Sequence, residues 1–289
     1  MIPPVDTTRT LMAILAHPDD ETFGTGGTLA LYAERGVQVH LICATRGEAG
    51  EMDADCLDGY QSIAERREAE LRCATDVLGL ASVQFLNYRD SGMAGSPDNQ
   101  HPNALAAQPV ENVAARLVPY IRQLRPQVII TFDPIGGYKH PDHIAIHQAA
   151  VQAFHLAADP AFAGSLPPHQ VQKLYYYTVG KGYLRFLVHV APLLGMDPHR
   201  LGRNKDIDMA SIVEDGNFPV HARIRCNQVR RKKDTASACH ASQLGGLTPQ
   251  RFSLLGFLRN WMAQDEHYMR AYPPADPGLR EDDLFAGVK

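Results

Sequence analysis

The sequence predicts an α/β protein: one three-layer domain with a mostly parallel sheet covered by helices on both faces. Three observations predict it. Short, almost wholly apolar runs, such as 11–16 and 128–132, alternate with longer amphipathic stretches. Strands buried on both faces read as such continuous apolar runs. The order is strand, helix, strand, helix from the start, which is the order of parallel crossover units. Finally, four segments of unusual polar content, starting near His17, Arg46, Arg89 and Tyr138, each follow a predicted strand. In such sheets, sites form in the loops at the carboxyl ends of strands.

Leu11 to Ala16 reads as the first buried strand. The cluster His17-Pro18-Asp19-Asp20-Glu21 follows, then Gly24-Thr25-Gly26-Gly27 as a turn feeding a helix over 28–35, which Gly36 ends. This glycine turn lacks both the dinucleotide-binding spacing and the P-loop lysine. Val37 to Thr45 is the second strand, and Arg46 to Glu51 a polar loop. Ser62 to Leu78 is a helix: Ile63, Leu71, Ala74, Val77 and Leu78 mark its apolar stripe, and Glu65, Arg66, Glu68 and Arg72 its wet face. Val83 to Leu86 is the third strand, before the loop Tyr88-Arg89-Asp90-Ser91-Gly92-Met93. Val110 to Leu124 is a helix, Val128 to Phe132 the fourth strand, and Ile144 to Ala157 a helix after the second cluster, Tyr138-Lys139-His140-Pro141-Asp142-His143.

The pattern is less regular after Pro168. Lys173 to Val179 has strand character, Leu184 to Leu194 is apolar and helical, and 198–217 is polar. Val220 to Cys226 alternates like a strand. Val229 to Ser242 is a helix ending in His240-Ala241-Ser242-Gln243, and the Pro/Asp-rich tail from Pro273 is expected to be loosely ordered. With no repeat and no flexible linker, residues 1–289 are expected to form a single domain, a core over about 9–180 with a C-terminal elaboration over about 181–289.

Whole-chain properties bound the function. A chain of 289 residues with 45% hydrophobic content can bury a sizeable core, and a net charge of −4 argues against nucleic acid or an anionic membrane as the main partner. No stretch is long and apolar enough to span a bilayer, and the start of the chain lacks the basic residues and long apolar core of a signal peptide. Five cysteines, with no Cys-x-x-Cys spacing, give no disulfide framework and no cysteine zinc site. Cys43 and Cys73 read as small buried residues, and the usage suits a reducing cytoplasm.

A catalytic zinc wants three ligands from His, Asp or Glu and one open position for water. His17 and Asp20, three apart in a loop stiffened by Pro18, can turn toward one point, and His143 is the best candidate for the third ligand. Two histidines and a carboxylate suit zinc, though the same set can hold ferrous iron. Asp19, beside a proposed ligand, is placed to act as general base. His140, if protonated, can stabilise the developing oxyanion, with Asp142 pairing to keep it charged and Tyr138 adding a hydroxyl.

Each part also has a plainer reading. Asp19, Asp20 and Glu21 could simply begin a helix, and Asp142 could cap one. Arg67 and Glu70 could be a surface helix pair, Arg89 and Asp90 a turn, Glu48 and Glu51 solvated residues, and His240 a helix-end histidine. Either cluster alone reads as structural. The two together, both placed after strands, favour one site.

These residues resemble a known family. Ala16-His17-Pro18-Asp19-Asp20-Glu21, with Gly137-Tyr138-Lys139-His140-Pro141-Asp142-His143, is similar to the LmbE-like (PIG-L) family of zinc-dependent N-acetylglucosaminyl deacetylases. The likeness covers the first half, to roughly Ala150, and more faintly His240 to Gln243. It implies a Rossmann-like fold and a Zn2+ ion (another divalent ion such as Fe2+ being the alternative) held by His17, Asp20 and His143. It also implies Asp19 as general base and His140 as the residue that stabilises the oxyanion or protonates the leaving amine, supported by Tyr138 and Asp142. Arg67 and Asp90 match sugar-contacting positions of the mycothiol- and bacillithiol-pathway deacetylase branch, and Thr45-Arg46-Gly47-Glu48 places the sugar near Glu48.

By the same resemblance the partner is a small amino-sugar substrate such as a GlcNAc conjugate, in the cytoplasm, with trimers or hexamers open by analogy. Amidases of the family carry a lysine where this chain has Gly24. An amidase acting on a larger amino-sugar thiol conjugate and a non-catalytic sugar- or metal-binding protein are the alternative readings. The segment 180–235 matches no branch of the family.

Overall fold

The computed structural model describes residues 9–178, 181–194, 196–200, 208–215, 218–243 and 265–289, without the side chains of 181–184, 187 and 194. A seven-stranded sheet runs through them in the order β3-β2-β1-β4-β5-β7-β6. β1 (Thr10–Leu15) is buried along its whole length, as its apolar run requires. It pairs in parallel with β2 (Gln38–Thr45), Leu15 opposite Cys43, and with β4 (Val128–Phe132), Ala13 opposite Ile130. β3 (Ser82–Tyr88) and β5 (Lys173–Thr178) extend the parallel part on either side.

Helices separate into two groups. α2 (Gly26–Glu34) and α3 (Ile63–Leu78) connect β1 to β2 and β2 to β3, and both pack with α9 (Arg230–Cys239). α4 (Val110–Leu124) and α6 (Pro141–Ala158) pack on each other, and α6 lies on β1 and β4. One-turn helices α1 (Asp20–Phe23) and α5 (Gly136–Lys139) follow β1 and β4; α7 (Lys181–Val190) and α8 (Met209–Asp215) lie in the C-terminal part. From β1 the chain winds outward through β2 to β3, then returns to β4 and winds the other way. The switch therefore falls between β1 and β4, and a crevice opens there at the carboxyl ends of the strands. Both histidine clusters start at this point.

The α/β class and the mostly parallel sheet are as the sequence predicts, and the elements of the first half fall within a few residues of their expected bounds. Ser62 caps α3 by accepting the amide of Glu65, one half of a capping box, and Glu65 bonds back to the amide of Gln61.

Three expectations change in the C-terminal part. The sequence reading had no strand over β7 (Asp265–Tyr272), which lies antiparallel between β5 and β6 (Ala222–Arg225). The tail is packed, not loose: Leu284 and Phe285 are in the core, and the Tyr32 hydroxyl donates to Asp283 at 2.7 Å. Cys73 and Cys239 form a disulfide joining α3 to α9, so cysteine usage no longer argues for a reducing compartment. Of the polar stretch 198–217, residues 201–207 and 216–217 lie outside the described residues, as do residues 1–8, where no signal peptide was expected. Among the described residues, no helix is long and apolar enough to cross a membrane.

Candidate active site

His17 leaves the end of β1 and is 6% exposed, with its two ring nitrogens facing different partners. Nε2 lies 3.1 Å from the Asp142 carboxylate and 3.4 Å from that of Asp90. Nδ1 lies 3.2 Å from His143 Nε2 and 3.6 Å from Asp20 Oδ2. The other nitrogen of His143, Nδ1, faces the carbonyl of Gly136 at 3.1 Å. A carbonyl only accepts, so His143 carries its proton on Nδ1 and presents a lone pair at Nε2. By the same logic, the carboxylates hold the His17 proton on Nε2 and leave a lone pair at Nδ1.

Two lone pairs thus meet at 3.2 Å, and the buried Asp20 carboxylate adds a third donor 3.3 Å from His143 Nε2. Without a shared proton or a cation between them, these groups repel. The set fits a cation: ligand atoms at about 2.0–2.1 Å in a tetrahedron stand roughly 3.3 Å apart. Proton affinities point the same way. Burial pulls His17 down, but the Asp90 charge and the bonds to Asp142, Asp20 and Asp90 outweigh it and raise His17 well above its ordinary value. Burial pushes Asp20 up, and His143 and His17 bring it well below its ordinary value. This point in the fold demands positive charge. His140 and the pair Asp90 and Asp142 lie close enough to His17 to form alternative ligand groupings.

The local backbone explains the placement. Gly136 has φ +66, and a Cβ there would stand 2.8 Å from His143 Cβ, so only glycine can offer its carbonyl so close to the ring. Phe132, ending β4, stacks on His143 at 3.9 Å between centroids. Asp142 is fully buried in the first turn of α6, where Ser91 holds both its oxygens, the amide at 2.9 Å and the hydroxyl by a short contact.

One expectation is corrected here. The carboxylate of Asp142 does not pair with His140. The Asp142 backbone N–H donates to His140 Nδ1 at 3.2 Å, the cap of α6, while the carboxylate serves His17 and Ser91. His140 is therefore not held charged. Burial, with the charges of His17 and His143, pushes it down to about 2. A neutral His140 that accepts at Nδ1 carries its proton on Nε2, and the residue lines the cleft. Tyr138 stands edge-on to His140 and His143 with its ring partly exposed.

Asp19 precedes α1 but does not cap it: its side chain makes no cap bond, and its φ of 117 is a strained conformation for a non-glycine residue. Its Oδ2 accepts from Arg67 at 3.1 Å. Burial pushes the carboxyl up to about 6, against the pull of Arg67 and with the push of Asp20. Arg67 is not the surface residue of a helix pair. It is buried, and it also donates to the carbonyls of Pro18 at 2.6 Å and Gly47 at 3.0 Å. Gly47, at φ +69, must lack a side chain, since a Cβ would meet the guanidinium at 2.0 Å. Asp90 sits under His17 and bonds the amide of Gly92 at 2.8 Å. Glu48 accepts the Asp90 amide at 3.1 Å and so supports that loop.

A cleft of about 610 Å³ opens over these groups, lined among others by His17, Asp19, Arg67, Asp90, Tyr138 and His140. The structure thus brings nine of the predicted residues to one place around or beneath the cleft, with Glu48 one shell further out. Sequence reasoning missed Ser91, Glu21, Met93 and Phe23. Ser91 and Met93 stood in a loop already singled out and Glu21 in the first cluster, each without a role; Phe23 gave no local signal. Gln243, in the faintly matching His240–Gln243 stretch, reaches the cleft wall.

Comparison with known proteins agrees with this geometry. Residues 12–154 match the family described as PIG-L, GlcNAc-PI de-N-acetylase. The 1D-myo-inositol 2-acetamido-2-deoxy-alpha-D-glucopyranoside deacetylase of Streptomyces griseus is 37% identical over 291 residues, covering 97% of this chain and 89% of the relative. The enzyme of the same name from Geodermatophilus obscurus is 37% identical, covering 97% and 98%. Among solved structures, the N,N'-diacetylchitobiose deacetylase of Pyrococcus horikoshii superposes with a TM-score of 0.61 at 20% identity, over 91% of this chain and 83% of that one. The 4-carboxy-2-hydroxymuconate hydratase of Pseudomonas putida KT2440 does so with a TM-score of 0.60 at 19% identity, over 94% and 99%. Structural likeness at these identities shows the fold alone, and a hydratase shares it. The full-length sequence relatives and the two matching clusters go further: the chain belongs to the PIG-L, or GlcNAc-PI de-N-acetylase, family and is an N-deacetylase.

Proposed function

We propose that the protein is a zinc-dependent hydrolase that removes the acetyl group from an N-acetylated amino sugar of the GlcNAc type. The observation that carries this is the meeting of His17 Nδ1, His143 Nε2 and the Asp20 carboxylate, with the far nitrogen of each imidazole facing an acceptor. These three residues would hold the zinc. Bound there, it supplies Lewis-acid chemistry, polarising the acetyl carbonyl and lowering the pKa of a water from 15.7 to about 7. Support for the substrate class comes from the sequence relatives, whose names carry an acetamido sugar on inositol.

The residues divide the remaining work. Arg67 occupies Oδ2 of Asp19, which leaves Oδ1 to take a proton from the attacking water. His140 donates its Nε2–H to the carbonyl oxygen as that oxygen gains negative charge, and Tyr138 adds its hydroxyl. When the C–N bond breaks, the leaving nitrogen needs a proton. A neutral His140 with one N–H is a poor source, so the proton stored on Asp19 is delivered to it. Water and amide have then become acetic acid and free amine, which exchange the last proton to leave as acetate and ammonium, and Asp19 is again a carboxylate. Asp142 and Asp90 keep the His17 ring oriented. The sugar is placed against Arg67 and Asp90, with Glu48 behind the Asp90 loop.

Acetate release from 1D-myo-inositol 2-acetamido-2-deoxy-α-D-glucopyranoside tests the reading. Activity is expected, and a chelator should abolish it. Asp19→Ala should keep the metal and lose about 10²–10⁴ in rate, the usual share of a general acid–base group. A wild-type rate in that variant would remove Asp19 as the base. No acetate from this or other N-acetyl sugars would remove the substrate class.

A further inference from the structure

We propose that His240, in the C-terminal part of the chain, is a positioning residue for the reaction: through Glu21 it sets the backbone of Asp19. The inference rests on the reading of Asp19 as general base. Asp19 is held from two sides. Arg67 grips its carboxylate, and its backbone N–H donates to Glu21 Oε2 at 2.9 Å. The amide grip matters because Asp19 stands at φ 117, where a side-chain-bearing residue does not stay unless its surroundings hold it. Glu21 in turn is fixed by His240, whose Nε2 lies 2.6 Å from Glu21 Oε1. Both side chains are fully buried.

The histidine is itself clamped. Residue 239, immediately before it, is tied to α3 by the Cys73–Cys239 disulfide. Two residues on, the amide and hydroxyl of Ser242 donate to Glu70 of α3 at 2.9 and 2.6 Å. His240 Nδ1 has no partner among the described residues, so the hydrogen bonding of the ring seen here goes to Glu21 alone. A buried ionisable pair gives little net stability over an apolar one. What this pair does contribute is direction: it aims one carboxylate oxygen at one backbone amide, one residue from a proposed metal ligand. The chain of contacts runs from α9 through Glu21 to the residue that must meet the attacking water.

The test contrasts two amides at one position. In His240→Gln the side-chain NH2 reaches Glu21; in His240→Asn it falls about one bond short. Acetate release from 1D-myo-inositol 2-acetamido-2-deoxy-α-D-glucopyranoside gives kcat and KM, with zinc content and melting temperature measured beside them. His240→Asn should lower kcat roughly 10–100-fold, the scale of an ångström-size misplacement, with KM within about twofold and zinc retained. His240→Gln should keep kcat within about threefold of wild type. In an Asp19→Ala background, His240→Asn should cost nothing more, because the two act through one carboxylate. Equal kcat in the Asn and Gln variants would overturn the proposal, as would a loss in His240→Asn that follows zinc or folded protein. A fully active Asp19→Ala would instead overturn the reading of Asp19 on which it rests.

Discussion

Asp20 and Glu21 are adjacent acidic residues with opposite surroundings. Asp20 accepts the backbone N–H of His17 at 2.7 Å, but otherwise faces two imidazole nitrogens that also face each other. Glu21 faces a histidine nitrogen on one oxygen and a backbone N–H on the other. The first arrangement lacks a positive charge; the second is complete. The same contrast separates the two regions that meet here. The loops after β1 and β4 gather acceptors whose repulsion a shared proton or a cation must relieve. The C-terminal part supplies closed pairs that hold those loops. Glu266 of β7 is the second such pair: it accepts the amides of Gly27 and Thr28 at 2.8 Å each and the ammonium of Lys233 at 2.7 Å. These two amides are among the unsatisfied donors of the first turn of α2, and a carboxylate is well placed at that positive end.

The largest expected effect comes from breaking the open arrangement. His143→Ala removes one of the three proposed ligand atoms, so zinc content should fall to background. Activity should fall by more than the roughly 10–100-fold that losing an outer partner of a metal ligand costs. His140→Ala should keep zinc and lose rate. Elemental analysis beside acetate release separates them. Zinc retained in His143→Ala would mean that the grouping of His17 with Asp90 and Asp142 holds the ion.

The open arrangement was legible in the sequence for a physical reason. Its donors sit within a few residues of a strand end, so a local cluster of His and Asp marks each half, and the fold has only to bring two strand ends together. The closed pairs were not legible. Glu21 and His240 are 219 positions apart, and neither sits in a pattern that names its partner. Helix spacing alone left Arg67 open as a surface residue, and only the family resemblance put it at the site; its burial depends on the carbonyls of Pro18 and Gly47, which no periodicity shows. β7 was missed because Asp265-Glu266-His267 looks too polar for an inner strand. Glu266 can lie there only because Lys233 and the amides of α2 meet it. The charge on His140 was misjudged because a carboxylate two residues away was assigned by nearness, whereas the turn of the helix offers its amide instead.

Breaking the second closed pair should cost stability before it costs chemistry. Glu266→Ala leaves Lys233, 19% exposed, and the amides of Gly27 and Thr28 without their partner and should cost at most about 3 kcal/mol of unfolding free energy. The pH dependence has a definite sign. Burial raises Glu266, but the Lys233 charge and bond and the Thr28 contacts bring it below its ordinary value of 4.5. With the folded value under the unfolded one, its contribution is present above about pH 4.5 and drains away as pH falls through the folded value. Lys233 lies the other way. Burial lowers it, but Glu266 raises it above 10.5, so its contribution is present below that pH and is lost as pH rises through the folded value. Denaturant melts across pH should show a plateau between these limits in the wild type. Acid loss should be shallower in Glu266→Gln. An unchanged acid limb would show that the clamp on α2 does not depend on the charge.

The smallest expected effect marks where the C-terminal part stops mattering. Lys139, between Tyr138 and His140, reaches across to Asp215 at 2.6 Å and to Ser211 by a short contact, joining the second loop to α8. This resembles the other inter-region ties, since it too links one of the two histidine-bearing loops to the later chain. It differs in exposure, its partners being 37% and 58% accessible. Water screens such a pair, and holding two long side chains together costs entropy, so its worth is about 0.2–1 kcal/mol, less at high salt. Lys139→Ala should therefore leave zinc content unchanged and kcat within about twofold, and should shift stability by less than about 1 kcal/mol. A large loss of kcat with zinc retained would place α8 among the parts that position His140. The line between the two regions would then follow not burial but nearness to the second loop.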